Sequence, residues 1–285
     1  MTGADTTRFR DPEGLHRLGY GGPLMETATV RWEGGTRTEQ DERIVEETPV
    51  AIAYNRIPHV VMMATPSDLA DFTLGFSLTE ELIQSADDLE HVEIQRYSKG
   101  VEIHATVAAR CGAAIAERTR RLTGRTGCGI CGADSVDAVL KHIHPVPPGG
   151  TISVKAVQHA LEVLAASQPL NAASGAVHAA AWAGADGVPT LVREDVGRHN
   201  ALDKLVGAAV ASKVVPSSGF AVVTSRASFE MVQKATVLGA PLLAAISGPT
   251  GLAVRVARES GLTLVGFARG GRLTVYTHPD RLVAG

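Results

Sequence analysis

Cys128 and Cys131 lie three residues apart in the stretch GCGICG, between glycines. Such a pair can form a redox disulfide, supply half of a zinc site or carry sulfur on a reactive thiolate. The following ADSVDAVLKHI is predicted to be helical, so the thiols would precede a helix N-terminus, where the dipole favours a thiolate. Arg121 and Arg125 add positive charge nearby, and the glycines leave room for a partner. The pattern favours a reactive thiol over a structural metal site.

A zinc site would need ligands beyond these two thiols. His142 and His144 follow in the pattern Cys-x2-Cys-x10-His-x-His, but structural zinc sites space their histidines more widely. The zinc deaminase signature, His-x-Glu followed by Pro-Cys-x-x-Cys, is matched at His91 and Glu93 but has Gly127 in place of proline. A zinc hydrolase is therefore the weaker alternative, and we assign no metal ligands.

The composition bounds the protein class. The 285 residues are 45% hydrophobic and 20% charged with a net charge of −3, which is typical of a globular protein and does not indicate a nucleic-acid partner. No signal-peptide pattern or stretch of ~18 apolar residues is present, so we expect no membrane association. Three cysteines form no disulfide framework, which favours the cytoplasm, and Cys111 lies in an apolar helical context typical of a buried side chain.

A break in the sequence divides the chain. HPVPPGG, from His144 to Gly150, cannot continue a helix or a central strand. Apolar strands and predicted helices alternate after it, which predicts an α/β fold with a mostly parallel sheet covered on both faces. We predict four parts: a flexible tail (1–22), a smaller N-terminal α+β domain ending in the Cys-x-x-Cys loop (23–144), a linker (145–150) and a C-terminal αβα cofactor-binding domain (151–285).

Polar clusters follow four of the predicted strands in the C-terminal half. They are REDVGRHN, SRAS, SGPT and RGGR. Ligands of such sheets bind beyond the carboxyl ends of the strands, so the four clusters predict one composite pocket. Free backbone N–H groups and arginines suit phosphates, and a nearby ring suits a purine base. The sequence has neither a Walker loop nor a G-x-G-x-x-G motif, so hydrolysis of nucleoside triphosphates is not indicated.

The candidate binding residues come from these clusters and from the strand before them. His178 opens an apolar strand, where a histidine is commonly part of the core, but it lies in the same part of the chain. The other candidates outside the RGGR stretch are Asp195, Arg198, His199, Arg226, Ser228 and Thr250.

With these motifs assembled, the chain resembles the formate dehydrogenase accessory sulfurtransferase family. The matching elements run in order from Cys128 to Arg281: GCGICG, GAVHAAAW, VREDVGRHNALDKLVG, TSRASFEMVQKA, ISGPTGLAV and LTLVGFARGGRLTVYTHPDRL. The long charged motif is specific enough to make coincidence implausible.

The resemblance implies a sulfurtransferase that takes sulfur from a cysteine desulfurase as a persulfide. The acceptor would be the molybdenum bis(molybdopterin guanine dinucleotide) cofactor of formate dehydrogenase. Cys128 would carry the sulfur. Cys131 would assist the sulfur transfer or resolve the persulfide. The family's cofactor-binding stretch corresponds to Phe267, Ala268, Arg269, Gly270, Gly271 and Arg272.

The resemblance also implies a C-terminal domain like that of cytidine deaminase, with three layers, and a homodimer. Three alternatives stay open: a zinc-dependent deaminase-like hydrolase, a non-enzymatic chaperone that binds the cofactor, and, more weakly, a dithiol–disulfide oxidoreductase.

Overall fold

The computed structural model describes residues 22–97, 99–122 and 143–285. The predicted tail, except for its last residue, and the Cys-x-x-Cys loop therefore lie outside the described residues. No helix in these three ranges is long and apolar enough to span a membrane.

The N-terminal part consists of a two-stranded ribbon and a four-stranded sheet with two helices. In the sheet, β3 and β6 are parallel neighbours and the outer pairs are antiparallel hairpins, giving the order β4-β3-β6-β5. The ribbon is β1 (Leu24–Glu33) and β2 (Thr36–Val45), and the remaining elements are β3 (Thr48–Tyr54), β4 (Ile57–Ala64), α1 (Leu69–Thr79), β5 (Leu89–Tyr97), β6 (Gly100–Val107) and α2 (Ala109–Leu122).

The C-terminal part is built on a six-stranded sheet of order β13-β12-β11-β10-β8-β9. Its elements are β7 (Ile152–Ser153), α3 (Val154–Ala166), α4 (Pro169–Ser174), β8 (His178–Gly184), β9 (Pro189–Asp195), α5 (Arg198–Ala211), β10 (Gly219–Val223), α6 (Phe229–Leu238), β11 (Leu242–Ala245), α7 (Gly251–Ser260), β12 (Thr263–Arg269), β13 (Arg272–Val275) and β14 (Leu282–Val283). The short strands β7 and β14 pair with each other.

The six-stranded sheet is mixed rather than mostly parallel. Only the pairs β10–β11 and β11–β12 are parallel. β8–β9 and β12–β13 are antiparallel because each pair is joined by a few residues, too short for a crossover. Even so, β9, β10, β11 and β12 all run in one direction, since β8 is antiparallel to both β9 and β10. Their carboxyl ends therefore meet at a single edge, together with the amino end of β8.

Helices cover both faces of this sheet, as predicted. Helix α3 buries Val157, Leu161 and Leu164 against one face, which contributes Phe220 and Val222 among others. Helices α5, α6 and α7 cover the other face. The α/β class is thus confirmed, while the likeness to cytidine deaminase stays a prediction.

One hydrophobic core joins the two parts of the chain. It takes Val50 and Ile103 from the four-stranded sheet, Phe72 from α1 and Leu205 from α5. Residues 145–150, predicted to be a linker, form neither helix nor strand, and the Val146 N–H donates to the Ser260 carbonyl. The division into two domains stays a prediction, and the two predicted parts share this core.

Helices α1 and α5 approach each other through two glycines. A methyl group on Gly75 would lie 1.7 Å from the Asp203 carbonyl oxygen, and one on Gly207 would lie 1.9 Å from the Asp71 carbonyl oxygen. Each glycine therefore faces the backbone of the opposite helix, and neither has room for a side chain. This contact fixes the distance between the helices at the centre of the molecule.

A buried ion pair extends this helix contact to α6. Lys234 Nζ lies 2.9 Å from Asp203 Oδ1 and also donates to Thr79 Oγ1, whose hydroxyl donates to the same carboxylate oxygen at 2.6 Å. Burial alone would lower the pKa of Lys234, but the carboxylates of Asp203 and Glu80 outweigh it and raise the pKa. Lys234 is therefore charged, and its charge is compensated inside the core.

Gly207→Ala is expected to destabilise the protein by about 3 kcal/mol, because the methyl group has no space and the helices must separate. Urea unfolding followed by circular dichroism measures this. Gly251→Ala is the matched control: it is also helical, and its new methyl group would come no closer than 3.6 Å to a neighbouring atom. Equal stability of the two variants would contradict the close contact.

Lys234→Met is expected to cost about 4 kcal/mol of the free energy of unfolding, because it leaves the Asp203 carboxylate buried without a counter-charge. The double variant Lys234→Met/Asp203→Leu should recover most of that loss, since neither charge then remains. Chemical denaturation of the wild type, Lys234→Met, Asp203→Leu and the double variant forms a double-mutant cycle. Additive losses would show that the two side chains do not interact.

Candidate cofactor-binding site

The topology brings the four polar clusters to one edge of the six-stranded sheet. They occupy the ends of β9, β10, β11 and β12, and His178 begins β8 opposite Asp195 in the same register. Hydrogen bonds join neighbouring loops: the Thr250 N–H donates to the Ala227 carbonyl at 3.1 Å, and the Phe267 N–H donates to the Ser247 carbonyl at 3.2 Å. The segments that carry the predicted candidates outside the Cys-x-x-Cys loop therefore meet at one edge of the sheet.

Three helices begin at this edge. The N-cap residues are Gly197 of α5, Ser228 of α6 and Thr250 of α7. Only Thr250 caps its helix with its side chain, by accepting the Ala253 N–H at 3.3 Å. Unpaired N–H groups and the positive ends of three helix dipoles thus face the same side, which favours an anionic ligand.

Asp195 lies beneath this surface rather than on it. Its carboxylate is fully buried. One oxygen accepts the Gly197 N–H and the Asn200 amide, and the other accepts the Thr65 N–H and lies 2.7 Å from Lys204 Nζ. With both oxygens engaged, Asp195 holds the loop before α5, and the structure gives it no free oxygen to offer a ligand.

The N-terminal part of the chain supports the same loop. Thr65, directly after β4, accepts the Val196 N–H with its hydroxyl and the Lys204 ammonium with its carbonyl. Asn200 donates to the Met63 carbonyl at 2.8 Å. Sequence reasoning missed Thr65 because nothing in the local pattern shows that β4 ends beside β9. Lys204 of the charged motif is fully buried and belongs to the same network.

His199 and Glu230 form a polar pair at the surface of the edge. His199 Nε2 lies 3.0 Å from Glu230 Oε2, which also accepts the Ser228 hydroxyl at 3.2 Å. The hydrogen bond with His199 lowers the pKa of Glu230 more than burial raises it, so Glu230 is a carboxylate at neutral pH. Ser228 therefore orients Glu230 in addition to marking the start of α6.

His178 is neutral at physiological pH. Burial lowers its pKa, and electrostatic interactions with Arg198 and His199 lower it further against the opposing effect of Asp195. Arg198 begins α5, and its Nε is buried without an acceptor among the described residues. Arg226 is exposed at the end of β10. The arginines supply positive charge at this edge, and His178 can donate or accept a hydrogen bond without adding to it.

The Phe267–Arg272 stretch forms the outer corner of the site. Gly270 and Gly271 both have positive φ, as the tight β12–β13 turn requires, and Arg269 and Arg272 are exposed on either side of it. Ala268, by contrast, is buried in the core beside α3. Its side chain therefore packs against the sheet and is turned away from the exposed arginines.

Arg255 is a cation near this edge that sequence reasoning missed. Its guanidinium reaches back to Gly251, the first residue of α7, where a methyl group would lie 3.6 Å from Nη1. A cation near a helix N-terminus is unfavourable unless an anion compensates it. The sequence GLAVRV could have indicated it, because Arg255 lies one helical turn after the first residue of the helix and a side chain at that spacing lies on the same helix face.

Only one of the three cysteines, Cys111, lies among the described residues. Cys111 is buried in the hydrophobic core with a free thiol, as predicted. Burial raises its pKa, and the nearby Asp88 carboxylate raises it further. Cys128 and Cys131, the predicted catalytic residues, lie outside the described residues.

Of the residues considered for a zinc site, His91, Glu93 and His144 are described, whereas Cys128, Cys131 and His142 lie outside the described residues. His91 and Glu93 lie on β5, where Glu93 accepts a hydrogen bond from Gln95. His144 pairs with Glu81 at 2.9 Å. Within the described ranges, no three His, Cys, Asp or Glu side chains are placed to hold a metal ion together.

Comparison with known proteins gives consistent matches over nearly the whole chain. Sulfur carrier protein FdhD of Xanthomonas euvesicatoria pv. vesicatoria (strain 85-10) is 50% identical over 259 residues, which cover 90% of this chain and 91% of that protein. The protein of the same name from Bordetella petrii is 45% identical over 90% of this chain and 93% of its own length.

A solved structure and a family model agree with these relatives. The crystal structure of a protein assigned as a formate dehydrogenase accessory protein from Desulfotalea psychrophila matches with a TM-score of 0.71 and 25% identity, over 91% of this chain and 99% of that one. The model of the FdhD/NarQ family matches residues 45–283, which include all four polar clusters and the Cys-x-x-Cys motif. The chain therefore belongs to the FdhD/NarQ family.

Proposed function

We propose that this protein is a sulfurtransferase in the maturation of formate dehydrogenase. It takes sulfur from a cysteine desulfurase as a persulfide on Cys128 and delivers it to the bis(molybdopterin guanine dinucleotide) molybdenum cofactor. It acts in the cytoplasm as a homodimer. The names of the relatives, sulfur carrier proteins, and of the structural neighbour, an accessory protein of formate dehydrogenase, support this role.

The convergence of the four strand-end clusters is the observation that carries the binding part of the proposal. Three helix N-termini and the arginines at positions 198, 226, 269 and 272 surround one edge, which suits the phosphates of a dinucleotide. The exposed ring of Phe267 adds a face for a base at the same edge. A guanine dinucleotide has both of these chemical features.

The sulfur-loading step needs only thiol exchange. The Cys128 thiolate attacks the terminal sulfur of the donor's cysteine persulfide, a new S–S bond forms at Cys128, and the donor's S–S bond breaks. The donor cysteine leaves as a thiolate and takes up a proton from solvent. Cys131 is placed in sequence to resolve the new persulfide as a disulfide with release of hydrosulfide, or to assist its transfer.

Intact mass after incubation with a cysteine desulfurase and cysteine tests the loading step. The wild-type protein should gain one sulfur atom that reduction removes, and Cys128→Ala should gain none. Cys111→Ala is the matched control and should load fully, because Cys111 is buried. Loading of Cys128→Ala would refute the assignment of the carrier thiol.

Two further measurements distinguish the proposed sulfurtransferase from a zinc hydrolase and from a cofactor-binding chaperone. One tightly bound zinc per chain by elemental analysis would favour a zinc hydrolase. Formate dehydrogenase activity retained in cells that carry Cys128→Ala would favour a chaperone that binds the cofactor without moving sulfur.

Arg269→Ala/Arg272→Ala is expected to weaken binding of guanosine diphosphate about tenfold, as loss of one charge-assisted hydrogen bond would. The loss should shrink at high salt, because exposed charges are screened. Isothermal titration calorimetry at two salt concentrations measures both effects. The control Arg37→Ala/Arg43→Ala removes the same number of positive charges from the ribbon, which is far from the β12–β13 turn in the sequence. It should bind guanosine diphosphate as tightly as the wild type does. Equal affinities of the two double variants would argue against a phosphate site at the turn.

A further inference from the structure

We propose that Gly248 is a positioning residue that seats the Phe267 ring as a preformed stacking surface for the base of the bound nucleotide. The inference rests on the proposed function, since it assumes that a guanine nucleotide binds at this edge. It assigns a role to a residue in the SGPT cluster that has no side chain to offer a ligand.

The ring of Phe267 occupies the space that a side chain at position 248 would need. A methyl group on Gly248 would lie 2.7 Å from Cζ, 3.2 Å from Cε2 and 3.3 Å from Cε1 of the ring. The far end of the ring therefore rests on the backbone of the loop between β11 and α7. Any residue other than glycine would have to displace it.

The backbone of Gly248 does not itself require glycine. Its φ is outside the positive range, which other residues avoid. The lack of a side chain, rather than conformational freedom, is the property that the structure uses here. The ring contact is therefore the physical reason that the structure provides for glycine at this position.

Phe267 has an unusual backbone conformation of its own. Its φ is +51°, in the left-handed region, and the β12–β13 register shifts between Gly266 and Arg269. Such a conformation costs about 1 kcal/mol or more for a bulky residue and persists only where the surroundings enforce it. The bond from the Phe267 N–H to Ser247 holds it, and a methyl group on Gly266 would lie 2.9 Å from the Pro249 ring.

These contacts hold the far end of the ring, while part of the residue stays exposed. Phe267 is 40% exposed although its neighbours Gly266 and Ala268 are buried. A planar base can stack on an exposed ring, and a ring already held in place loses little freedom when it binds. The ring also lies beside the loop that leads into α7, so a base stacked there would place its phosphates near the helix N-terminus and the arginines.

Calorimetric titration with guanosine diphosphate and with inorganic pyrophosphate tests the role of Gly248. Both probes carry the phosphates, but only the first carries a base. Gly248→Ala should weaken binding of guanosine diphosphate about tenfold and leave that of pyrophosphate within about twofold, because stacking is the part that it disturbs. Phe267→Leu should do the same.

The double variant Gly248→Ala/Phe267→Leu should bind guanosine diphosphate no more weakly than Phe267→Leu alone, since Gly248 acts only through the ring. Gly150→Ala is the matched control: its methyl group would meet nothing within 4 Å, and both affinities should equal those of the wild type.

Each contrary outcome is distinct. Equal losses for both probes in Gly248→Ala would show a general structural role, and unchanged guanosine diphosphate binding would show that the ring adapts; either overturns the inference while the proposed function stands. Additive losses in the double variant would also overturn it.

If the wild type binds guanosine diphosphate no better than pyrophosphate, there is no base-stacking surface. If it binds neither probe, the cofactor part of the proposed function fails together with the inference, whereas sulfur loading of Cys128 is judged separately by mass.

Discussion

The buried contact between Asp195 and Lys204 underlies the arrangement of the candidate site. The two charges are 2.7 Å apart and fully buried, and the same carboxylate accepts hydrogen bonds from both parts of the chain. An isolated charge in this position would cost several kcal/mol, so each group requires the other and the backbone around it. As a result, the end of β9, the start of α5 and the end of β4 are held as one unit. The surface residues Arg198 and His199 are carried on this unit.

The candidate site has a rigid base made mostly of small residues. β8 is almost entirely alanine between His178 and Gly184, with Trp182 as the exception, and α1 and α5 meet through glycines. Small residues allow strands and helices to approach closely, so the loops at the sheet edge start from closely packed elements. The polar groups of the edge can then be placed by short connections rather than by long loops.

Much of this fold could be predicted from the sequence because each element carries a local signal. The apolar runs PLLAAIS and GFAVVTS, which contain β11 and β10, and the helical periodicity of SFEMVQKATVLG, which contains α6, are signals of this kind. The positions of the polar clusters after strands β9 to β12 followed from the same pattern. The direction of β8 did not, because GAVHAAAWA reads the same in a parallel or an antiparallel strand, and only the short connection to β9 decides it.

The candidate site was predictable in composition but not in orientation. Asp195 and Arg198 belong to one charged motif, and sequence spacing does not show that the first is buried and the second reaches the edge. Ala268 shares a motif with Arg269, yet alternation along β12 turns it into the core. Thr65 was beyond reach because its partners are more than a hundred residues away in the chain. Contacts between distant segments depend on the tertiary fold, which local patterns do not encode.

The burial of Cys111 has a consequence for the sulfur transfer that we propose for this protein. Sulfane sulfur moves readily between accessible thiols, and each additional reactive thiol is another route by which it can be lost. A core thiol with a raised pKa offers almost no thiolate to accept it. Of the three cysteines in the chain, Cys111 is thus excluded from exchange, so under the proposed function any movement of sulfur within a single molecule would be restricted to the thiols at positions 128 and 131.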